Sequence, residues 1–392
     1  MKILVLGCGM QGRAVLYDLS KSSQVKEIIC ADINPEVISD FTRFLDMNKI
    51  KLQKLDVMDK KALISVMKDV DVVIDMLPIK FLKILTEAVL ESKVNMVNSI
   101  YGHMMPKDFD EKAIEKGITI MPEAGLDPGI DLILCGYGVN QMDEVYELHS
   151  YCGGIPGKKA IDNPLNYKIT WTWNGVLLSY KRPAKIIKKG KIINIPAKDQ
   201  HAEKWIKKID FPNVGQLEVI PNGDAVIFVD YLGISKTIRN TSRCSLRWPG
   251  HSEFWRKMKD LNFLSDKPVK GLPFELTPHQ FLVKHLEPLL QYKKNERDIV
   301  VMRNIIVGLK DGKKTKITFD MLDTRDLKTG LFSMNRTVGY TASIVAQMIV
   351  NREIKGKGLL TPVKDIPYRR FLDEISKRGI NINKKTEIEE QI

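Results

Sequence analysis

The chain has 392 residues, long enough for two domains with sizeable cores. Its 44% hydrophobic and 28% charged content is that of an ordinary globular protein, and no apolar run reaches the roughly 18 residues of a membrane-crossing helix. The net charge of +13 comes from lysines spread along the chain with no nucleic-acid-binding module, which excludes nucleic acid and membrane as expected partners.

Residues 2–6 form an apolar strand candidate. The chain then runs Gly7-Cys8-Gly9-Met10-Gln11-Gly12 into an amphipathic helix pattern with Ala14, Val15, Leu16 and Leu19. A G-x-G-x-x-G triplet alone recurs by chance, but here strand, glycines and helix stand in the order that binds a dinucleotide. Gly7 allows the tight turn, Gly9 lets the backbone approach a pyrophosphate, and Gly12 lets the helix pack on the strand. The N–H groups at the helix start, on Met10 and Gln11, favour the pyrophosphate charge. Asp32 lies twenty residues beyond Gly12, after a second apolar run over 27–31. Its carboxylate suits a ribose 2′-hydroxyl and repels a 2′-phosphate, and no arginine or lysine occurs from Ile33 to Glu36. The expected cofactor is therefore NAD, with NADP less favoured.

Strand and helix continue to alternate. Helices are expected over 35–48, 60–68, 81–92 and 109–116, and strands over 50–57, 71–77, 94–100 and 118–122. That rhythm predicts an α/β Rossmann fold, a doubly wound parallel sheet, whose ligands sit beyond the carboxyl ends of the strands. The residues at those ends complete the expected cofactor site: Asp56, Leu77, Pro78 and Ser99, then Leu126 and Pro128.

After about residue 140 the pattern changes. The segments 144–151, 167–173, 176–180, 225–232, 239–247, 299–309 and 314–323 are rich in β-branched and aromatic residues or alternate, and predict a mixed sheet. Residues 181–193 are expected to form a hairpin with Gly190 in its turn and lysines toward water. Helices are expected over 253–261, 278–290, 334–351 and 368–378, with a loose polar tail over 381–392. Cys8, Cys30, Cys135, Cys152 and Cys244 include no C-x-x-C pair and the histidines have no metal-ligand spacing. The expectation is reduced thiols, no metal, no signal peptide and a cytoplasmic enzyme. No G-x-S-x-G elbow is present, which disfavours a hydrolytic triad.

Several segments resemble one family, the glutamate-forming saccharopine dehydrogenases (saccharopine reductases) and the related lysine 6-dehydrogenases. The blocks are 123–131 (EAGLDPGID), 150–156 (SYCGGIP), 163–168 (NPLNYK), 221–224 (PNGD) and 246–251 (LRWPGH). The resemblance implies a dinucleotide-binding domain over 1–127 and a substrate-binding and dimerisation domain with a mixed sheet over 128–333. It also implies C-terminal helices over 334–392 that return to the first domain. Asp127 and Cys152 resemble the reductase branch, whereas the overall length is closer to lysine 6-dehydrogenase. Asp32 departs from the fungal reductases, which use NADP, and Gly223 stands where the reductases carry a basic residue.

The family's chemistry is oxidation of a C–N bond followed by hydrolysis of the imine, here saccharopine to glutamate and 2-aminoadipate 6-semialdehyde. The main alternative is ε-deamination of lysine, and a third reading is a non-catalytic NAD-binding sensor. A general base must first neutralise the substrate ammonium. The expected catalytic residues are Asp127, Cys152 and Tyr101, with His103 close enough to serve. Each has a second reading: Asp127 as a helix N-cap before Pro128, Cys152 as a small buried residue, Tyr101 as a packing aromatic. Tyr101, Gly153, Asn222 and Arg247 are the expected substrate contacts. Arg247 is preferred over Arg182 and Arg243 for gripping a carboxylate. Trp171 and Trp173, alternating on one strand candidate, are expected in the core or an interface and not in substrate contact. The apolar, aromatic second half makes a homodimer the expected assembly for this amino-acid enzyme.

Overall fold

The computed structural model describes residues 1–389 in two compact units, one of Met1–Tyr137 with Asn335–Asn381 and one holding Gly138–Met334 and the terminal strand. In chain order the first part contains β1 (Lys2–Leu6), α1 (Met10–Lys21), β2 (Glu27–Asp32), β3 (Ile50–Lys54), α2 (Lys60–Met67) and β4 (Val72–Asp75). Next come α3 (Leu82–Ser92), β5 (Asn95–Asn98), α4 (Phe109–Glu115), β6 (Thr119–Met121) and α5 (Ile130–Val139). The middle holds β7 (Glu144–Pro156), α6 (Trp173–Ser179), β8 (Ala184–Lys188), β9 (Lys191–Ile195), β10 (Lys207–Phe211) and β11 (Gly215–Pro221). It continues with α7 (Val226–Tyr231), β12 (Asn240–Arg247), α8 (His251–Asp260), α9 (Pro278–Leu286), β13 (Asp298–Lys310) and β14 (Lys313–Thr324). The chain closes with α10 (Ser333–Val350), β15 (Gly358–Leu359), α11 (Pro362–Asp365), α12 (Tyr368–Lys377) and β16 (Ile382–Ile388).

The first unit is built on a seven-stranded sheet in the order β15-β6-β5-β4-β1-β2-β3, every pair parallel. This is the doubly wound order with one added edge strand. Its central strands are buried on both faces, which is why β4 reads as an unbroken apolar run. The C-terminal helices return to this unit. A Cβ on Gly339 of α10 would lie 2.6 Å from Cβ of Ala14 in α1, so the two helices meet backbone to backbone there. Asp18 of α1 fastens the contact by accepting from Ser343 Oγ (2.6 Å) and from Arg378 Nε (2.6 Å).

The second unit carries a nine-stranded sheet whose main path is β10-β11-β12-β7-β13-β14-β16, with β8 on β12 and β9 on β8. All pairs are antiparallel except β12 with β7. The hairpin β8–β9 turns at Lys189 and Gly190, both at positive φ, as a two-residue turn between twisted strands requires.

Several expectations fail here. Residues 167–173 and 176–180 are not strands: Trp173–Ser179 is helical, started by Thr172, whose Oγ1 accepts from Gly175 N–H. Residues 225–232 are likewise helical as α7, begun by the Asp224 carboxylate on Val226 N–H. In both, a polar side chain just ahead of the helix accepts from one of its first N–H groups, in a segment whose apolar, β-branched composition argues for a strand. The helix expected over 35–48 is three short 3-10 turns. The tail expected to be loose is β16, paired along β14, and its last three residues lie outside the described residues. No helix among the described residues is long and apolar enough to cross a membrane.

Candidate functional site

The glycine loop joins β1 to α1. Gly7 sits at φ +95°, where an L side chain is strained, and its N–H is held by the Ala31 carbonyl at 2.9 Å. A Cβ on Gly12 would lie 1.9 Å from the Gly7 carbonyl oxygen, so only glycine lets α1 begin this close to β1. A Cβ on Gly9 would meet no protein atom within 4 Å. Packing therefore does not demand that glycine, whereas a ligand approaching the backbone would. Gly9 N-caps α1 with no side-chain hydrogen bond, leaving the N–H groups of Met10 and Gln11 without a side-chain cap. Asp32 braces the loop from β2: Oδ2 accepts from Cys8 N–H at 2.8 Å and Oδ1 from Asn34 N–H at 2.9 Å.

The neighbouring strands end in polar groups. Asp56 is exposed and accepts from Met58 N–H, while Leu77 is half-buried and Pro78 exposed. Asp75 and Asn98, register partners on β4 and β5, are buried and escaped the sequence reading. Asp75 Oδ1 takes Leu77 N–H and Asn98 Oδ1 takes Ile100 N–H, but Asp75 Oδ2, Asn98 Nδ2 and Gln11 Oε1 find no partner among the described residues. Buried polar atoms are nearly always satisfied, so unpaired ones at the carboxyl edge, with an open, uncapped glycine loop, fit a bound polar ligand. The residues present fit a nicotinamide dinucleotide.

Burial pushes the Asp75 carboxyl up to about 7, against the Leu77 N–H that favours its charged form. Between about pH 4 and 7 the folded chain keeps a proton that the unfolded chain has released, so this group's stability contribution is lost as pH rises through that window. Asp75→Asn is therefore expected to match the wild type near pH 4 and to exceed it by about 2–4 kcal/mol at pH 8, read by denaturant unfolding.

Ser99, Tyr101, Leu126, Asp127 and Pro128 follow along the same edge. Tyr101 is half-buried, with its ring 5.4 Å from that of His103. Glu123, the first residue of the 123–131 block, is 2% exposed at φ +59° and lies 3.5 Å from where a Gly102 Cβ would sit. Asp127 is half-buried and Leu126 and Pro128 are buried. The N-cap reading of Asp127 is not realised: α5 begins at Ile130, and Asp131 Oδ1 takes the Gly129 N–H at 2.8 Å.

In the second unit Cys152 is buried on β7, level with Met302 of β13 and Ser245 of β12. Gly153 is required by packing, since a Cβ would lie 2.3 Å from the Leu246 carbonyl oxygen. Arg247 is 7% exposed. Its Nη1 donates to the Leu246 carbonyl at 2.8 Å, its guanidinium lies 5.5 Å from the centre of the Tyr167 ring, and its Nε has no partner among the described residues. Asn222 donates its N–H to the Arg243 carbonyl, and its buried Oδ1 is unpaired among the described residues. Arg243 Nη1 stands 3.7 Å from where a Cβ of Gly223 would be, so a guanidinium occupies the neighbourhood that a side chain at 223 would reach. Trp173 is core, as expected, but from a helix and with Nε1 on the Leu282 carbonyl. No metal-binding group of His, Cys, Asp or Glu is found among the described residues.

Two family profiles cover most of the chain: the saccharopine dehydrogenase NADP binding domain over residues 3–121 and the saccharopine dehydrogenase C-terminal domain over 125–380. The chain is 28% identical to the saccharopine dehydrogenase [NADP(+), L-glutamate-forming] of Saccharomyces cerevisiae, over 98% of this chain and 99% of that one. It is 26% identical to the mitochondrial alpha-aminoadipic semialdehyde synthase of Rattus norvegicus, where it spans 48% of the relative's length. The solved apo saccharopine dehydrogenase (L-Glu forming) from Saccharomyces cerevisiae superposes with a TM-score of 0.84 at 27% identity, covering 98% of this chain and 99% of that one. The chain therefore belongs to the saccharopine dehydrogenase family.

Proposed function

We propose that the protein oxidises saccharopine at its secondary amine, releasing L-glutamate and 2-aminoadipate 6-semialdehyde, with NAD preferred over NADP. The observation that carries this is the open glycine loop of a dinucleotide site in a chain matched end to end by a glutamate-forming saccharopine dehydrogenase. A nicotinamide dinucleotide would be held by Gly7, Gly9 and Gly12 and by the uncapped start of α1. When bound, it accepts hydride from the carbon that bears the amine. The protein's task is to manage protons and carboxylates. Asp127 takes a proton from the substrate ammonium, since only a neutral amine can release the hydride, and returns protons as water opens the imine. Tyr101 and Cys152 assist by hydrogen bonding. Arg247, its ring-stacked guanidinium held by the Leu246 carbonyl, grips one substrate carboxylate, and Arg243, beside Gly223, grips a second. Arg243→Ala is expected to raise KM for saccharopine about tenfold or more with kcat less affected, as for a lost charged contact.

The NAD preference rests on Asp32. The family profile and the yeast relative are named for NADP, but here the end of β2 carries a carboxylate fixed by two backbone N–H groups. Arg13, the nearby guanidinium, is already engaged by the Val37 carbonyl and Asp40. Lys54 is Asp32's register partner on β3, so Asp32→Asn leaves a lysine unopposed. That substitution is expected to raise the NADP-to-NAD ratio of kcat/KM by about tenfold or more, since like-charge repulsion of the 2′-phosphate is lost. An unchanged ratio would remove Asp32 as the discriminator.

A further inference from the structure

Consecutive strand residues point to opposite faces, so Tyr151 stands on the face of the nine-stranded sheet away from Cys152. On the Tyr151 face, the parallel pairing of β7 with β12 sets Glu147 level with Asn240, His149 with Ser242, and Tyr151 with Cys244. These residues line the floor of a pocket of about 300 Å³, with Lys188, Lys204, Trp205 and Lys207 among its walls.

The floor is an organised hydrogen-bond network. His149 Nδ1 and Ser242 Oγ are 2.7 Å apart, and His149 Nε2 lies 3.5 Å from Glu147 Oε2. Asn240 Nδ2 donates to Glu147 Oε1 at 3.1 Å, and the Tyr151 ring stacks with His149 at 5.9 Å. The hydrogen bond from His149 is the first cause that holds the Glu147 carboxyl below its ordinary range. Glu147 is thus already committed within the protein. The walls are not. Lys188, Lys204 and Lys207 are exposed, and none forms an ion pair among the described residues. Trp205 Nε1 is shielded from solvent and has no acceptor among the described residues. The Lys204 ammonium lies 5.6 Å from the Trp205 ring centre, at the same wall.

Three lysines against one committed carboxylate leave the pocket with surplus positive charge, and a shielded indole N–H adds a donor that lacks a partner. Such a site takes an acceptor-rich anion. We propose that this pocket binds a small oxyanion, a carboxylate or a phosphate, on the sheet face opposite Cys152. The anion bridges the lysines and receives the Trp205 N–H, while the His149–Ser242 pair fixes the floor beneath it. Lys188 falls in the lysine-rich stretch 181–193, but the other lining residues come from separate segments that meet only in the fold.

The test is isothermal titration calorimetry of the full chain saturated with nicotinamide cofactor, using citrate and inorganic phosphate as probes at low salt. At least one probe is expected to bind saturably. Combining Lys188→Ala, Lys204→Ala and Lys207→Ala should weaken it about tenfold or more, and Trp205→Phe about threefold. Citrate binding alone identifies a carboxylate site, and phosphate binding alone a phosphate site. The lysines are exposed, so saccharopine oxidation without added anion should be unchanged in the triple variant. The proposal is overturned if neither probe binds saturably, or if the triple variant binds as tightly as the wild type. It also falls if the triple variant changes the oligomeric state in sedimentation and leaves anion affinity untouched, which would make this face a contact between copies of the chain.

Discussion

Gly12→Ala should weaken binding of the nicotinamide cofactor about 100-fold. The Cβ it adds would lie 1.9 Å from the Gly7 carbonyl oxygen and 3.0 Å from the Gly7 carbonyl carbon. Both contacts are to backbone, so no side chain can swing away to relieve them. Gly7 cannot retreat easily either, since its positive φ and its bond to the Ala31 carbonyl fix the turn. The start of α1 must then shift away from β1, and with it the N–H groups that receive a pyrophosphate. Strain held at such a site is on the order of 3 kcal/mol, which converts to roughly 100-fold in affinity. Gly9→Ala separates packing from binding. Its Cβ would meet no protein atom within 4 Å, so the variant should unfold at the wild-type temperature and still bind cofactor more weakly. Fluorescence titration with the cofactor, alongside thermal unfolding, checks both. Wild-type affinity in both variants would mean that the loop does not hold the dinucleotide.

Asp127→Asn should lower kcat for saccharopine by roughly 100- to 10,000-fold, the range that a positioned general acid–base supplies. Asparagine keeps the shape and the acceptor oxygen but cannot take the ammonium proton. α5 begins at Ile130, and Asp131 supplies the carboxylate on Gly129 N–H, so Asp127 lies ahead of the first helical turn. The melting temperature and KM should therefore change little, while the acidic limb of the kcat/KM pH profile disappears. Loss of stability with the pH profile intact would make Asp127 structural. Tyr101→Phe and Cys152→Ser, which remove hydrogen-bonding groups and not the base, are expected to have smaller effects on kcat.

What the sequence reveals here is what lies close together in it. β1, the three glycines, α1 and the acid ending β2 fall within the first 32 residues, and each has a local requirement that its residue type advertises. The unpaired Asp75 and Asn98 atoms needed the pairing of β4 with β5 to be seen together. Glu123 opens the 123–131 block, but its burial at positive φ beside Gly102 is visible only in the fold. The second unit is less legible because composition there competes with local hydrogen bonding at the helix starts. Trp173, Val176 and Leu177 suit a strand, yet Thr172 turns them into α6, where they are buried against α9 and Trp255. β16 is exposed along nearly all its length, so it shows no apolar alternation, and its pairing to β14 comes from the backbone ladder. Arg243 beside Gly223 is likewise a through-space substitution that neighbouring residues in sequence do not disclose.

The most direct test of the central claim is reduced-cofactor formation, followed by ultraviolet absorbance, with saccharopine or L-lysine as substrate and NAD or NADP as oxidant. Turnover of saccharopine and not lysine, faster with NAD than with NADP, is the predicted result. Turnover of lysine alone would contradict it and make the enzyme an ε-deaminating dehydrogenase with a reductase-like Asp127 and Cys152.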